Sequence, residues 1–118
     1  MQAVLVLRVT TIVENGETKF SLNMPIISME APQDPAKDTD LAEVKVVNES
    51  NEDIVLAFPG TSPCDPATIP IDENSKQLLK WEDKVDKGKY YFLVSQQETD
   101  SGGNVRPTMG TIDIVVMG

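Results

Sequence analysis

The chain has 118 residues, 40% of them hydrophobic and 25% charged, so it has the size of one domain and enough apolar side chains for a core. It contains no histidine, a single cysteine and a formal net charge of −9. These counts exclude Ser-His-Asp and Cys-His catalysis, zinc sites built from Cys and His, and blue-copper sites with two His and one Cys. They also disfavour binding to nucleic acid or to an anionic membrane. We therefore expect residues 1–118 to form a single soluble domain.

The N-terminal region predicts a β-hairpin. Residues 2–13 are rich in Val, Leu, Ile and Thr, which favour strands, and they lead into Asn15-Gly16, a dipeptide typical of a type I′ turn. Apolar and polar residues alternate over residues 18–23, so this segment is expected to return antiparallel to the first strand.

The middle of the chain alternates loops with short apolar runs. Two prolines, three aspartates and the lack of periodicity predict an exposed connection over residues 31–41. Residues 43–48 and 54–58 are separated by a polar turn and predict a second hairpin. Residues 58–70 follow as a loop that its prolines stiffen.

The last third of the chain predicts a third hairpin. Residues 89–96 and 108–117 both alternate between apolar and polar positions, and a glycine-rich turn at residues 100–104 joins them. Residues 77–85 fit a strand with Leu79 and Trp81 on one face. They also fit a helix, because several apolar residues recur at spacings of three and four, and we favour the strand.

A short motif before the penultimate strand carries a family resemblance. Asp86-Lys87-Gly88-Lys89-Tyr90, followed by Phe92, resembles the corner that precedes this strand in the immunoglobulin-like β-sandwich superfamily. The resemblance implies that the Tyr90 hydroxyl bonds back to the upstream backbone and that Phe92 is buried. The cysteine pair of antibody domains is absent, and a cupredoxin-like version would be copper-free because the chain has no histidine. The fold expected is all-β, an immunoglobulin-like or cupredoxin-like sandwich of seven or eight mostly antiparallel strands.

Acidic residues are concentrated between residues 30 and 53, which suggests that one end of the molecule carries most of the negative field. Oxygen ligands for Ca²⁺ are available among them at Asp38, Asp40, Glu43 and Asp53. The spacing does not match a calcium-binding loop, so we predict a solvated acidic surface and no metal site.

The proline-rich loop is a candidate for docking to a partner, because a stiff loop loses little entropy when it binds. Its candidate contact residues are Pro59, Thr61, Pro63, Asp65 and Pro66. The alternative role is a simple crossover between sheets. Cys64, in the same loop, is predicted to be unreactive, because no imidazole can activate it and an adjacent carboxylate opposes thiolate formation.

Tyr91 is the one aromatic residue of residues 89–96 expected to be exposed, because it points away from the face that buries Tyr90 and Phe92. Core packing is the expected role of Trp81.

The function predicted from these features is a non-catalytic protein-binding or assembly module that presents loops and a strand edge. Its expected partner is another protein or a second copy of the chain, with no cofactor, no catalytic residues, no nucleic acid and no membrane. The alternative is a Ca²⁺-assisted carbohydrate-binding module, and a third reading is an enzyme that uses carboxylates alone. A single cysteine favours the cytoplasm, with an exported mature chain left open.

Overall fold

The computed structural model describes residues 3–97 and 105–117, and these residues form an all-β structure with one short 3-10 turn at Asp38–Asp40. Twelve strands are assigned within them. In chain order they are β1 (Val4–Glu14), β2 (Glu17–Leu22), β3 (Ile26–Ala31), β4 (Ala36–Lys37), β5 (Glu43–Asn48), β6 (Ile54–Ala57), β7 (Thr68–Ile71), β8 (Lys76–Leu78), β9 (Lys84–Val85), β10 (Gly88–Gln96), β11 (Val105–Arg106) and β12 (Thr108–Val116). Four of these, β4, β8, β9 and β11, have two or three residues, and the remaining eight agree with the number predicted.

Five strands form a sheet, called sheet A here, in the order β11-β2-β1-β5-β8. The predicted first hairpin is confirmed, since β1 and β2 are antiparallel with Glu14 opposite Glu17. Asn15 (φ 53°) and Gly16 (φ 77°) are both in the left-handed region, as a type I′ turn requires. On its other side β1 pairs with β5 in parallel.

Sheet B has the order β3-β12-β10-β6-β7. Its central strand β10 is antiparallel to both β12 and β6, so the predicted pairing of the last hairpin is confirmed. The glycine-rich turn predicted at residues 100–104 lies outside the described residues. The edge strand β3 runs parallel to β12. Between the described strands six of the nine pairings are antiparallel, in line with the predicted sandwich.

The core fills the space between the inner faces of the two sheets. Its largest fully buried side chains are Phe20, Phe92, Leu7, Ile27, Leu41, Ile54, Leu56, Ile112 and Ile114. The rings of Phe58 and Phe92 meet edge to face, with centroids 6.1 Å apart. Gly110 lies directly opposite Phe92 on β12, and the Phe92 ring fills the space that a side chain at this position would need. The glycine therefore allows the ring to pack against the sheet.

The second hairpin predicted from the sequence, between β5 and β6, is wrong. β5 belongs to sheet A and β6 to sheet B, so the turn between them carries the chain across the sandwich. A polar turn between two apolar runs has the same sequence character in both arrangements, because only the tertiary contacts of the turn distinguish them.

Asn48 holds this crossing in place. It is fully buried, and its side-chain N–H groups donate to three backbone carbonyls, those of Glu52, Ile71 and Asp72. Its side-chain oxygen accepts hydrogen bonds from the backbone N–H and the hydroxyl of Ser50. The carboxamide thus ties the β5–β6 turn to the end of β7.

The corner predicted before the penultimate strand is present. The Tyr90 hydroxyl donates a 2.6 Å hydrogen bond to the backbone carbonyl of Asp86, and Phe92 is buried. Burial raises the pKa of the Tyr90 hydroxyl, and the nearby Asp86 and Asp34 carboxylates add to the shift.

Residues 77–85 contain no helix, but they do not form the single strand that we favoured. β8 and β9 occupy the two ends of this segment, and Trp81 between them is buried with its indole N–H bonded to the Ala42 carbonyl at 3.0 Å. The described part of the chain has no helix long and apolar enough to cross a membrane.

Candidate functional site

The outer face of sheet B carries a group of uncharged side chains that spans four strands. We call this group the outer patch, and it consists of Ile26, Ala57, Tyr91, Leu93, Met109 and Thr111. Tyr91 is 53% exposed, Met109 60% and Ile26 64%, so the patch is open to solvent. The prediction that Tyr91 points away from the core is confirmed. Large apolar residues grouped on one face are typical of a surface that contacts another molecule.

A shallow groove of about 310 Å³ borders the outer patch. It is lined by Pro59, Gly60 and Thr61 on one side and by Lys89 and Tyr91 on the other. The structure therefore brings the first part of the predicted partner loop next to the predicted exposed aromatic residue.

The rest of the predicted partner loop is divided between exposed and buried positions. Asp65 and Pro66 are exposed, whereas Pro63 is buried and its carbonyl accepts a hydrogen bond from the Glu82 backbone N–H at 2.9 Å. Pro63 is therefore unavailable to a partner, contrary to expectation. The loop is also not a crossover between sheets, because it joins β6 to β7, which are antiparallel neighbours within sheet B.

Cys64 lies in the buried part of this loop, where its backbone pairs with that of Trp81. The residue is only 2% exposed, and burial, aided by the Glu82 carboxylate, raises the thiol pKa to about 12. The thiol is thus protonated at neutral pH, which disfavours both nucleophilic chemistry and metal binding.

The four carboxylates considered as calcium ligands do not come together. Asp38, Asp40 and Glu43 lie near the start of β5, whereas Asp53 follows its far end. The Asp40 carboxylate accepts hydrogen bonds from the Lys37 backbone N–H and the Gln33 amide, and that of Asp53 accepts one from the Glu73 N–H. Across residues 3–97 and 105–117, no group of three or more Cys, Asp or Glu side chains is arranged to hold a metal ion. The acidic residues are therefore divided between two ends of β5, and the expectation of one acidic end is wrong.

A second cavity, of about 400 Å³, lies beside the edge strand β3 and the start of β1. It is lined by Ala3, Leu5, Ser28, Met29, Glu30, Pro32, Asp40, Ala42 and Met117. Sequence reasoning did not single out Met29 or Met117. The pattern that places Met29 inward is the alternation of Ile27, Met29 and Ala31 along β3, which Pro25 obscured because it suggested a broken strand.

The strand order and the two packed sheets define a cupredoxin-like β-sandwich, and comparison with solved structures shows this fold. The chain superposes on a multicopper oxidase from Campylobacter jejuni with a TM-score of 0.63 and 17% identity, covering 98% of this chain and 26% of that one. It superposes on a copper-containing nitrite reductase from Thermus scotoductus with a TM-score of 0.58 and 12% identity, covering 100% of this chain and 28% of that one. It also superposes on a mutant of amicyanin in its Cu(I) state, with a TM-score of 0.50 and 9% identity, covering 94% of this chain and 81% of that one.

The chain thus spans just over a quarter of the length of the oxidase and of the reductase that it resembles. No protein-family model matches the sequence, and comparison with the curated proteins also gives no match.

These structural relatives are copper redox proteins, and this finding overturns the function predicted from sequence. Neither a non-catalytic protein-binding or assembly module nor its alternative, a Ca²⁺-assisted carbohydrate-binding module, agrees with it. Loops, acidic residues and an exposed aromatic are common to many sandwiches, so they did not distinguish between these functions.

The residues of this chain do not fit a blue-copper centre. Such a centre needs two imidazoles and one thiolate around the metal, and the chain has no histidine. The thiol of Cys64 is buried, and its backbone pairs with that of Trp81, so the only thiol of the chain has no imidazole beside it to complete such a centre.

Proposed function

We propose that this chain serves copper-dependent redox chemistry as a cupredoxin-type domain, with the copper held by another domain or protein. The observation that supports this most strongly is the likeness to a multicopper oxidase over 98% of the chain. We infer that residues 1–118 act as one domain and do not carry out the redox step themselves, because the ligands of a blue-copper centre are absent.

Copper loading tests the first part of this proposal. The purified chain is incubated with Cu(II), freed of excess metal, and examined for bound copper, visible absorption and electron paramagnetic resonance. We expect no intense blue colour and no spectrum of a copper–thiolate bond. A blue, copper-loaded protein would contradict the proposal that the metal is held elsewhere.

Removal of the gene tests the second part. Extracts of cells that lack the chain are assayed for oxidase activity that a copper chelator inhibits, with total copper measured in parallel. We expect this activity to fall and to return when the gene is restored. Activity that is unchanged per unit of copper would overturn a role in copper redox chemistry.

A second candidate is that the chain itself binds Cu(I), and the cavity beside β3 favours it. Thioether sulfur is a ligand that selects Cu(I), and Met29, Met117 and Asp40 are among the residues that line this cavity. Met29 is buried and Met117 is exposed, so the cavity has both a buried and an exposed methionine in its lining.

A Cu(I) titration against a coloured competing chelator, under reducing conditions, tests this candidate. Met29→Leu and Met117→Leu keep the apolar volume but remove the sulfur, and each is expected to weaken Cu(I) binding by about tenfold or more. Met109→Leu is the matched control, because Met109 is exposed on the outer patch and does not line the cavity. Equal losses in all three variants, or no binding by the wild type, would exclude the site.

A further inference from the structure

The two outer faces of the sandwich differ in charge. Sheet A presents several cations, including Arg8, Lys19 and Arg106, which form ion pairs with glutamates. The strands of sheet B place three charged residues on its outer face, Glu30, Lys89 and Asp113, and the outer patch lies beside them. The uncharged, partly apolar outer patch is the part of this face that a second copy can cover with little desolvation of charge.

Two residues of opposite charge lie at one border of the outer patch. Lys89 on β10 lies directly opposite Asp113 on β12, next to the row that contains Tyr91 and Thr111. Within the described residues the two side chains do not form an ion pair with each other, and neither makes one elsewhere. Both charges are therefore available to a partner.

A single two-fold rotation brings Lys89 of each copy opposite Asp113 of a second copy. A two-fold axis that runs between β10 and β12, parallel to the strands, places β10 of one copy over β12 of the other. Lys89 of each copy then faces Asp113 of the other, so that the four charges alternate in sign. In the rows behind them, Tyr91 faces Thr111 and Leu93 faces Met109 of the second copy.

The same two-fold rotation brings the groove beside Tyr91 into the contact between the two copies. Pro59 and Thr61 lie beside β10 on the side away from β12, so in the pair they face the edge strand β3 of the second copy. Ile26, on that strand, is 64% exposed and lies level with Tyr91 and Thr111. The loop and the exposed aromatic residue thus contribute to one contact.

We propose that the outer face of sheet B is an isologous interface between two copies of this chain, held by the outer patch and by two reciprocal Lys89–Asp113 pairs. This inference does not depend on the proposed function.

The size of the face sets the strength of the contact. Five strands at their usual spacing cover about 19 Å, and the stretch from Lys89 to Ser95 covers about 20 Å, which gives about 400 Å² of sheet per copy. A standard stable interface buries about 800 Å² per partner. The dimer is therefore weak, and it forms at high protein concentration.

Charge-exchange variants test the interface by sedimentation equilibrium over a wide concentration range. In Lys89→Asp and in Asp113→Lys the reciprocal pairs become pairs of like charge, so each variant alone is expected to dimerise at least about tenfold more weakly than the wild type. Mixing the two variants places opposite charges together again at both positions, and the mixed pair has the same total charge as two wild-type chains. We expect the mixture to dimerise within about threefold of the wild type.

Lys76→Asp is the matched control for Lys89→Asp, because both variants replace an exposed lysine with aspartate, and Lys76 lies on sheet A. It should leave dimerisation within about threefold of the wild type. Circular dichroism and thermal unfolding confirm that each variant is folded. A wild type that is monomeric at all concentrations, single variants that dimerise like the wild type, or a mixture that stays monomeric would each overturn the proposal.

Discussion

The two faces of sheet B are built from alternate residues of the same strands. The inner face is buried in the core, and the outer face is exposed to solvent. On the inner face of β10, Tyr90, Phe92 and Val94 are buried against sheet A, whereas Tyr91 and Lys89 on the outer face are exposed. Substitutions on the inner face change volume and buried hydrogen bonds in a closely packed core. Substitutions on the outer face change charge and apolar contact with other molecules. Residues that determine stability and residues of the proposed interface therefore alternate along one strand.

The largest loss of stability is expected when the hydrogen bonds of the buried Asn48 side chain are removed. Asn48→Ala removes three hydrogen bonds that its side chain donates to backbone carbonyls and the side-chain oxygen that accepts from the backbone N–H and hydroxyl of Ser50. We expect the free energy of unfolding, measured in urea, to fall by about 4 kcal/mol. Gln77→Ala is the control, because it removes an exposed amide and should change stability by less than about 0.5 kcal/mol. A loss below about 1 kcal/mol for Asn48→Ala would show that water replaces the carboxamide.

An added methyl group on the inner face has the next largest effect. The new Cβ of Gly110→Ala would overlap the Phe92 ring, and we expect a loss of about 3 kcal/mol. Gly60→Ala is the matched control, since nothing lies near its new Cβ. Phe92→Leu in the same chain should relieve the overlap, so that the double variant is more stable than the two single losses imply. Strictly additive losses would contradict this contact.

The protonation state of Cys64 gives an effect that is smaller for each pH unit and appears only at alkaline pH. Its folded-state pKa is raised from 9.0 to about 12, so the thiol stabilises the fold below pH 9 and this contribution is lost as the pH rises towards 12. We expect the free energy of unfolding to fall by up to about 1.4 kcal/mol per pH unit in this window. Cys64→Ala should lessen the slope, because the titrating thiol is gone while other alkaline titrations remain. Identical slopes in urea titrations of both proteins would show that the thiol is hydrated.

The smallest effect on folding is expected on the outer face. Tyr91→Ala should change the free energy of unfolding of the monomer by less than about 0.5 kcal/mol, because the ring is exposed. The same variant should weaken self-association, measured by sedimentation. A large loss of stability with unchanged association would reverse the assignment of the two faces.

Much of the sandwich could be predicted from local patterns. The alternation along β10 separated Tyr91 from Tyr90 and Phe92, and Asn15-Gly16 defined the first turn, because both signals depend on neighbouring residues. The parallel pairing of β1 with β5 was not predicted, since period-two alternation carries no information about strand direction or partner.

The candidate site was predicted only in part, for the same reason. Pro59 and Thr61 of the β6–β7 loop form one surface with Tyr91 of β10, and only the fold brings these two segments together. Pro63 was assigned to the surface by its loop composition, whereas long-range hydrogen bonding with the segment around Trp81 buries it. Asp38 and Asp53 were both considered as calcium ligands from their place in acidic segments, and the extended β5 between them keeps them apart.

The place of β12 in sheet B also bears on how the chain folds. It is the last strand of the described residues, yet it lies inside the sheet between β3 and β10. Until β12 is inserted, both neighbours have unpaired edges, and its contact with β3 joins residues 26 and 111, which are far apart in the chain. Closure of so long a loop slows folding, and a chain still emerging from the ribosome exposes two strand edges at once. The insertion of β12 is therefore the step at which aggregation competes with folding.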